Sequence, residues 1–156
     1  MKSLLLESAS QPKVRLRPVG PGDLEELRLW KNANKRWFFF KGDITPAMQK
    51  EWFEQYLKRA DDVLFIVEDG GRKLGTLGIR LKDGAYDVYN VVAAPSEAGK
   101  GYMKSALTAL CARFKNRPVG CLVLKGNPAA KFYEACGFRR AGGDDIHDAF
   151  VWGGAA

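Results

Sequence analysis

Met103, Ala106, Leu107, Leu110, Cys111 and Phe114 recur at i, i+3, i+4 spacing, the most regular stretch of the chain. Apolar side chains at that spacing share one face of an α-helix, so the sequence predicts a helix over 101–115. The flanking residues narrow the fold further. Val119-Gly120-Cys121-Leu122-Val123-Leu124 is short and almost wholly apolar, the pattern of a strand buried on both faces. Asn127-Pro128 then opens another helix, which Gly137 stops. A helix, a doubly buried strand and a second helix in succession call for a sheet with helices packed on its faces.

The remaining segments supply that sheet. Residues 14–19 alternate apolar and basic side chains and run into Pro18-Val19-Gly20-Pro21, which reads as a strand and turn. Asp23 stands three residues before Glu26 in a capping-box arrangement, with Leu24, Leu27 and Trp30 on one helical face ending near Asn32. Thr45-Pro46 caps a second helix that carries Met48, Trp52, Phe53, Tyr56 and Leu57. Strands are expected over 63–68 and 73–81 around the turn Asp69-Gly70-Gly71, and a further hairpin turns at Asp83-Gly84 into 86–93. Residues 138–140 and 146–152 close the sheet around Gly142-Gly143-Asp144. The 156 residues suffice for one core, placed over 14–156 after a loose amino terminus at 1–13.

A formal charge of +7 favours anionic partners. Because the basic residues are dispersed, the pattern gives little support to a dedicated nucleic-acid footprint, and a polyanionic cofactor fits as well. Cys111, Cys121 and Cys136 are odd in number and form no C-x-x-C pair, so they read as buried thiols. His147 is the single histidine, near the carboxyl end, and reads as a surface strand residue; no histidine-based metal site is expected. The three-leucine run Leu4-Leu5-Leu6 is too short for a membrane span or a secretory segment, so a cytoplasmic location is expected.

Chemistry concentrates at Pro95-Ser96-Glu97-Ala98-Gly99-Lys100-Gly101-Tyr102-Met103, which joins a strand to the most regular helix. Unpaired N–H groups and the helix dipole favour an anion there, glycines at 99 and 101 allow close backbone approach, and Lys100 adds charge. A plain glycine turn before a helix has the same appearance. Glu97 is explained by its place near a helix start.

This loop resembles the coenzyme loop of the GNAT acetyltransferase family, Q/R-x-x-G-x-G/A after a strand that usually ends in proline. Pro95 and Gly101 match; Ala98 stands for the usual Gln or Arg, and Met103 for the usual Gly or Ala. A second stretch, from Val123 through Asn127-Pro128-Ala129-Ala130-Lys131-Phe132-Tyr133 to Gly137-Phe138, is similar to the family's strand-N-x-x-A-x-x-F-Y-x-x-x-G-F. The resemblance spans 14–152, with the amino-terminal part carried by element order.

It implies an α/β (α+β) fold with a mixed, mostly antiparallel central sheet of about seven strands flanked by about four helices. It further implies acetyl-coenzyme A as acyl donor, held by the loop at Ala98, Gly99, Lys100, Gly101, Tyr102, Met103 and Lys104. Backbone groups of Val91, Val92 and Ala93 would meet the thioester carbonyl and pantetheine. Asn127 would contact the pantetheine arm, and it is also a good N-cap. Tyr133 would stand near the sulfur. A phenol can protonate the thiolate expelled when an amine attacks a thioester, although Tyr133 equally suits a buried helix face beside Phe132.

An alkylamine of pKa about 10.4 must lose a proton before attack. Asp87 occupies the position where histone-modifying members carry a glutamate base, with Tyr89 and Val91 on the same face by two-residue alternation. A solvated carboxylate with a water chain as base remains the alternative.

Trp37-Phe38-Phe39-Phe40 lies in the region that borders the acceptor site in the family, as a substrate platform or as core or dimer packing. Trp30-Lys31-Asn32 with Trp52-Phe53 is similar to members acetylating nucleotide-linked amino sugars and to members acetylating protein amino termini. The expected activity is acetyl transfer to a primary amine of a small molecule, an amino sugar among the candidates. Acetylation of a protein or peptide amine, or a regulatory domain that only binds coenzyme A, are the alternatives. No nucleic-acid or membrane partner is expected, and homodimerisation is left open.

Overall fold

The computed structural model describes residues 1–38 and 40–154. Eight strands form one sheet in the order β1-β2-β3-β4-β5-β6-β8-β7. They are β1 (Leu6–Glu7), β2 (Arg15–Pro18), β3 (Asp62–Asp69), β4 (Arg72–Lys82), β5 (Ala85–Ala93), β6 (Val119–Leu124), β7 (Phe138–Gly143) and β8 (His147–Trp152). Four helices accompany them: α1 (Leu24–Ala33), α2 (Pro46–Leu57), α3 (Tyr102–Arg113) and α4 (Ala129–Ala135). Every neighbouring pair is antiparallel except β5 with β6, whose parallel pairing follows from the crossover through α3. The mixed, mostly antiparallel sheet matches the expected fold class, with one strand more than expected.

That strand lies where a loose amino terminus was expected. Leu6 and Glu7 pair with Leu16 and Arg15, and Met1, Leu4 and Leu6 pack against the core. Leu4 and Leu6 of the short leucine run therefore bury apolar surface at the sheet edge while Leu5 stays exposed, in a stretch too brief to show a strand period.

Each sheet face carries its own core. On one face α3 contributes Met103, Ala106, Leu107, Leu110 and Cys111 against Leu16, Phe65, Leu77, Ile79 and Val88. On the other, α1 and α2 bring Leu27, Phe53 and Tyr56 onto Leu64 and Ile66. Thr45 caps α2 as expected, its hydroxyl accepting the Met48 N–H at 3.2 Å. The capping box at Asp23 does not form. Its carboxylate instead accepts from both terminal nitrogens of Arg17 at 2.8 and 2.9 Å, from Lys73 at 2.8 Å and from the Gly20 N–H at 2.8 Å. Charge-assisted bonds from β2 and β4 outcompete a neutral cap, and they anchor the start of α1 to the sheet. No helix among the described residues is long and apolar enough to cross a membrane.

Candidate functional site

The site begins where the sheet forks. β5 and β6 pair only at Tyr86 with Val119 and Asp87 with Gly120. Beyond this point β6 stays with β8 and β5 stays with β4, so the carboxyl-terminal halves of the two parallel strands separate. A crevice at the carboxyl ends of parallel strands, where connections diverge, is a general ligand position in sheets of this kind. β5 is also bent there. Asn90 and Val91 together oppose Leu77, Asn90 has φ of 48°, and the Thr76 hydroxyl donates to its carbonyl at 2.9 Å. The edge of Val91, Val92 and Ala93 facing the crevice has no strand across it among the described residues.

The loop 98–101 and the start of α3 close one end of the chain's path from β5. Gly101, with φ of 85°, is the N-cap of α3 and offers no side-chain cap, which leaves the N–H groups of Tyr102, Met103 and Lys104 directed outward at the positive end of the dipole. Gly99 is likewise left-handed at 77°, and Ala98 is extended. Lys100 leans back to Glu97, with 3.5 Å between Nζ and Oε2. Glu97 is buried in the preceding turn, where it also meets Arg72 at 3.5 Å, so it belongs to an ion cluster and not to the helix start. Arg72, the first residue of β4, donates to the Tyr102 hydroxyl at 2.9 Å and lies over its ring. Arg72 was not visible as a site residue in the sequence, because it stands 26 positions before Ala98 and only the fold brings it to the loop. Met103 points inward and is buried, while Lys104 is exposed.

Across the fork, Asn127 uses its carboxamide oxygen to accept the Ala129 N–H at 2.9 Å, so it caps α4 and keeps its NH₂ group for another acceptor. Tyr133 is buried on the α3 face, its ring 5.4 Å from Phe132, 5.5 Å from Phe138 and 6.2 Å from Phe150. Burial foremost, with the neighbouring thiols and Asp87 adding, pushes its pKa well above the ordinary phenol value, so the hydroxyl keeps its proton at neutral pH. It has no hydrogen-bond partner among the described residues. The three cysteines are buried as expected; burial raises Cys121 to about 12 and Cys136 to about 11, which removes them as nucleophiles.

Asp87 sits at the fork itself. Its Oδ2 accepts from Arg80 Nε at 2.9 Å, and the Arg80 guanidinium lies 4.5 Å above the Tyr89 ring. Tyr89 packs on the α1–α2 side and donates to the buried Asp62. Val91 does not share that face: the extra residue at the bulge turns it onto the α3 side, which corrects the simple alternation expected from the sequence. Tyr86 and Val88 also pack on the α3 side, so the intervening Asp87 looks the opposite way from Tyr133. Asp87 still lies near enough for its charge to bear on the tyrosine.

On the α1–α2 side a cavity of about 200 Å³ reaches the bulge. Leu27, Ile44, Met48, Trp52, Leu64 and Val92 give it apolar walls, Lys31, Gln49, Thr76 and Asn90 its polar groups, and Phe40 its rim. The aromatic run divides. Phe38 packs with Trp30, Val92 and Ala94, Trp37 lies under Arg36, Phe40 is half exposed at the cavity, and Phe39 lies outside the described residues. Among the described residues no group of three or more His, Cys, Asp or Glu converges on a metal site.

The family profile described as the acetyltransferase (GNAT) family matches residues 27–138, well over half of the chain. No curated protein matches the sequence. Among solved structures, apo FdhC, a nucleotide-linked sugar GNAT, superposes with a TM-score of 0.78 at 17% identity, covering 96% of this chain and 90% of that one. An acetyltransferase from Thermus thermophilus gives 0.76 at 20% identity, over 88% and 95%. Spermidine N-acetyltransferase from Vibrio cholerae, in complex with CoA and spermine, gives 0.74 at 20% identity, over 88% and 92%. At these identities the structures speak for the fold. The family match, which takes in the fork, the loop and the Asn127 to Phe138 stretch, shows that the chain belongs to the GNAT family and is an acetyl-coenzyme A-dependent acetyltransferase.

Proposed function

We propose that this enzyme transfers the acetyl group of acetyl-coenzyme A to a primary amine of a small molecule, with an amino sugar among the candidate acceptors. The observation that carries the reading is the bulge at Asn90 and Val91. The open edge of β5 looks into the fork, while Asn90 and Val92 line the cavity on the α1–α2 side, so donor and acceptor can meet at one bent segment. A cavity of about 200 Å³ suits a compact amine better than an extended peptide.

The residues divide the work by face. The uncapped N–H groups of Tyr102, Met103 and Lys104, with Lys100 and Arg72 beside them, would hold the coenzyme's pyrophosphate. The Asn127 NH₂ would donate to the pantetheine arm, and backbone groups of Val91 to Ala93 would receive the thioester carbonyl and the negative charge that grows on it. Tyr133, kept protonated by burial, would give its proton to the departing thiolate. Asp87 has one oxygen bound to Arg80 and a second for the amine proton, taken directly or through water. The proton leaves on the acceptor face and is supplied on the other.

A screen of amino sugars, polyamines, aminoglycosides and peptides for acetyl-coenzyme A-dependent thiol release, with products identified by mass spectrometry, tests this reading. Acetylated small amines are expected. Acetylation of peptides alone, or coenzyme binding without any thiol release, overturns it.

A further inference from the structure

Among the described residues Lys31 is the one charged side chain in the wall of the α1–α2 cavity, and no carboxylate lines it. Among the described residues its partly buried ammonium has no ion-pair or hydrogen-bond partner, and it lies 4.7 Å from the Phe38 ring. The cations one turn to either side are answered: Arg28 pairs with Glu25 at 2.5 Å and Lys35 with Asp43 at 2.9 Å. Nor does a nearby acid offset it. The group close enough to act on Lys31 by charge is another cation, Arg80, and burial together with Arg80 lowers the lysine's pKa from its ordinary value. Desolvated charges in folded proteins are normally paired, because an unpaired one forfeits hydration without return. An unanswered ammonium in the wall of an open cavity therefore indicates that its counter-ion arrives with the ligand.

Resting on the reading of this cavity as the acceptor site, we propose that Lys31 selects an amine that also carries an anionic group, a carboxylate or a phosphate, and disfavours polycationic amines. The anion would sit on Lys31 Nζ, with the Asn90 carboxamide and the Gln49 side chain as further polar contacts, and the apolar body against Leu27, Ile44 and Trp52. A polyamine would instead bring its second ammonium toward Lys31, a like-charge encounter.

The test uses the full chain with acetyl-coenzyme A and matched acceptors: phenethylamine against phenylalanine for the carboxylate, glucosamine against glucosamine 6-phosphate for the phosphate, and spermidine as the polycation. The anionic member of at least one pair is expected to have a kcat/KM about tenfold or more above the counterpart that lacks the anion and above spermidine. Lys31→Met is expected to collapse that ratio to within about threefold, and Lys31→Arg to keep it. Melting temperatures of the variants establish that they fold, and Lys31→Gln, which removes the charge but keeps a polar side chain, decides the matter if Lys31→Met does not. Where no amine is acetylated, the small-amine reading fails, but calorimetric titration of the same pairs into the coenzyme A complex still measures the selection. Spermidine preferred over every anionic amine, or a ratio unchanged between wild type and Lys31→Met in both turnover and binding, overturns the proposal.

Discussion

The sulfur of Met103 rests on Gly75, 2.7 Å from the point that a β-carbon on residue 75 would occupy. The bulk that this chain carries at position 103, where related loops usually have Gly or Ala, is accommodated by a strand residue with no side chain. Met103 is thereby drawn into the core, and the N-terminal turn of α3 stays clear for an anion. The same point lies 2.5 Å from the Val92 carbonyl oxygen, so a methyl group at 75 meets backbone as well as the flexible thioether. Gly75→Ala should cost about 2 kcal/mol, the usual scale for overpacking a close-packed site. For a domain of this size that corresponds to a melting temperature lower by roughly 4 to 8 °C. Met103→Ala added to it should recover only part of the loss, because the contact with Val92 remains. Equal thermal unfolding of Gly75→Ala and wild type would contradict this account of the loop.

Tyr133 combines a packed ring with a hydroxyl that has no protein partner among the described residues, and these two properties can be separated. Tyr133→Phe keeps the contacts with Phe132, Phe138 and Phe150, so the melting temperature should stay within a degree or two of wild type. If the hydroxyl protonates the leaving thiolate, kcat should fall about 100-fold while calorimetric affinity for coenzyme A changes little. A variant that releases thiol at the wild-type rate removes the acid role and leaves only the packing.

Much of this architecture was readable because local patterns and tertiary needs agreed. The Met103 to Phe114 stripe gave α3 to within two residues at its far end, and Thr45-Pro46 announced α2 through a cap that does form. Other features depended on contacts remote in sequence. β1 is two residues long, below the reach of any period, and exists because Leu16 is there to pair with it. Asp23 looked like a helix cap until β2 and β4 brought Arg17 and Lys73 to it. The bulge at Asn90 carries no glycine and no turn signature, so alternation put Val91 on the wrong face. The partners of the site suffered most. Arg72 at the loop and Lys31 in the cavity are ordinary basic residues in the sequence and acquire meaning only from what they face.

Asp87 and Arg80 make a prediction with a direction in pH. If Asp87 receives the amine proton, Asp87→Asn should lower kcat/KM about tenfold near neutral pH, where an acceptor of pKa about 10.4 is almost wholly protonated. The deficit should shrink as pH rises toward that value, since the free amine then needs no base. Arg80→Met, which releases Oδ2 from its 2.9 Å bond, should leave activity within a fewfold of wild type. A constant deficit across the pH range for Asp87→Asn would assign the residue to holding Arg80 and β5 in place.

The start of α1, and with it the wall that carries Lys31, depends on Asp23. Burial alone would raise the pKa of this carboxyl, but the bonds from Arg17, Lys73 and the Gly20 N–H outweigh it and hold the pKa well below the usual carboxylate range. In the unfolded chain the group returns to about 3.9. A folded-state pKa depressed in this way contributes stability that is complete above the unfolded value and is lost as pH falls toward the folded one. Wild type should therefore weaken progressively below about pH 4. Asp23→Asn keeps the shape but leaves Arg17 and Lys73 without their shared anion, and should cost about 3 kcal/mol at pH 7. Its deficit relative to wild type should narrow as the pH drops below about 4, because the unfolded wild-type chain then takes up a proton that the folded state still excludes, and the advantage of the ionised Asp23 shrinks. Urea unfolding at pH 7 and pH 3 measures both quantities, and a deficit of equal size at the two values would show that the asparagine disrupts packing at the head of α1 independently of the ion network.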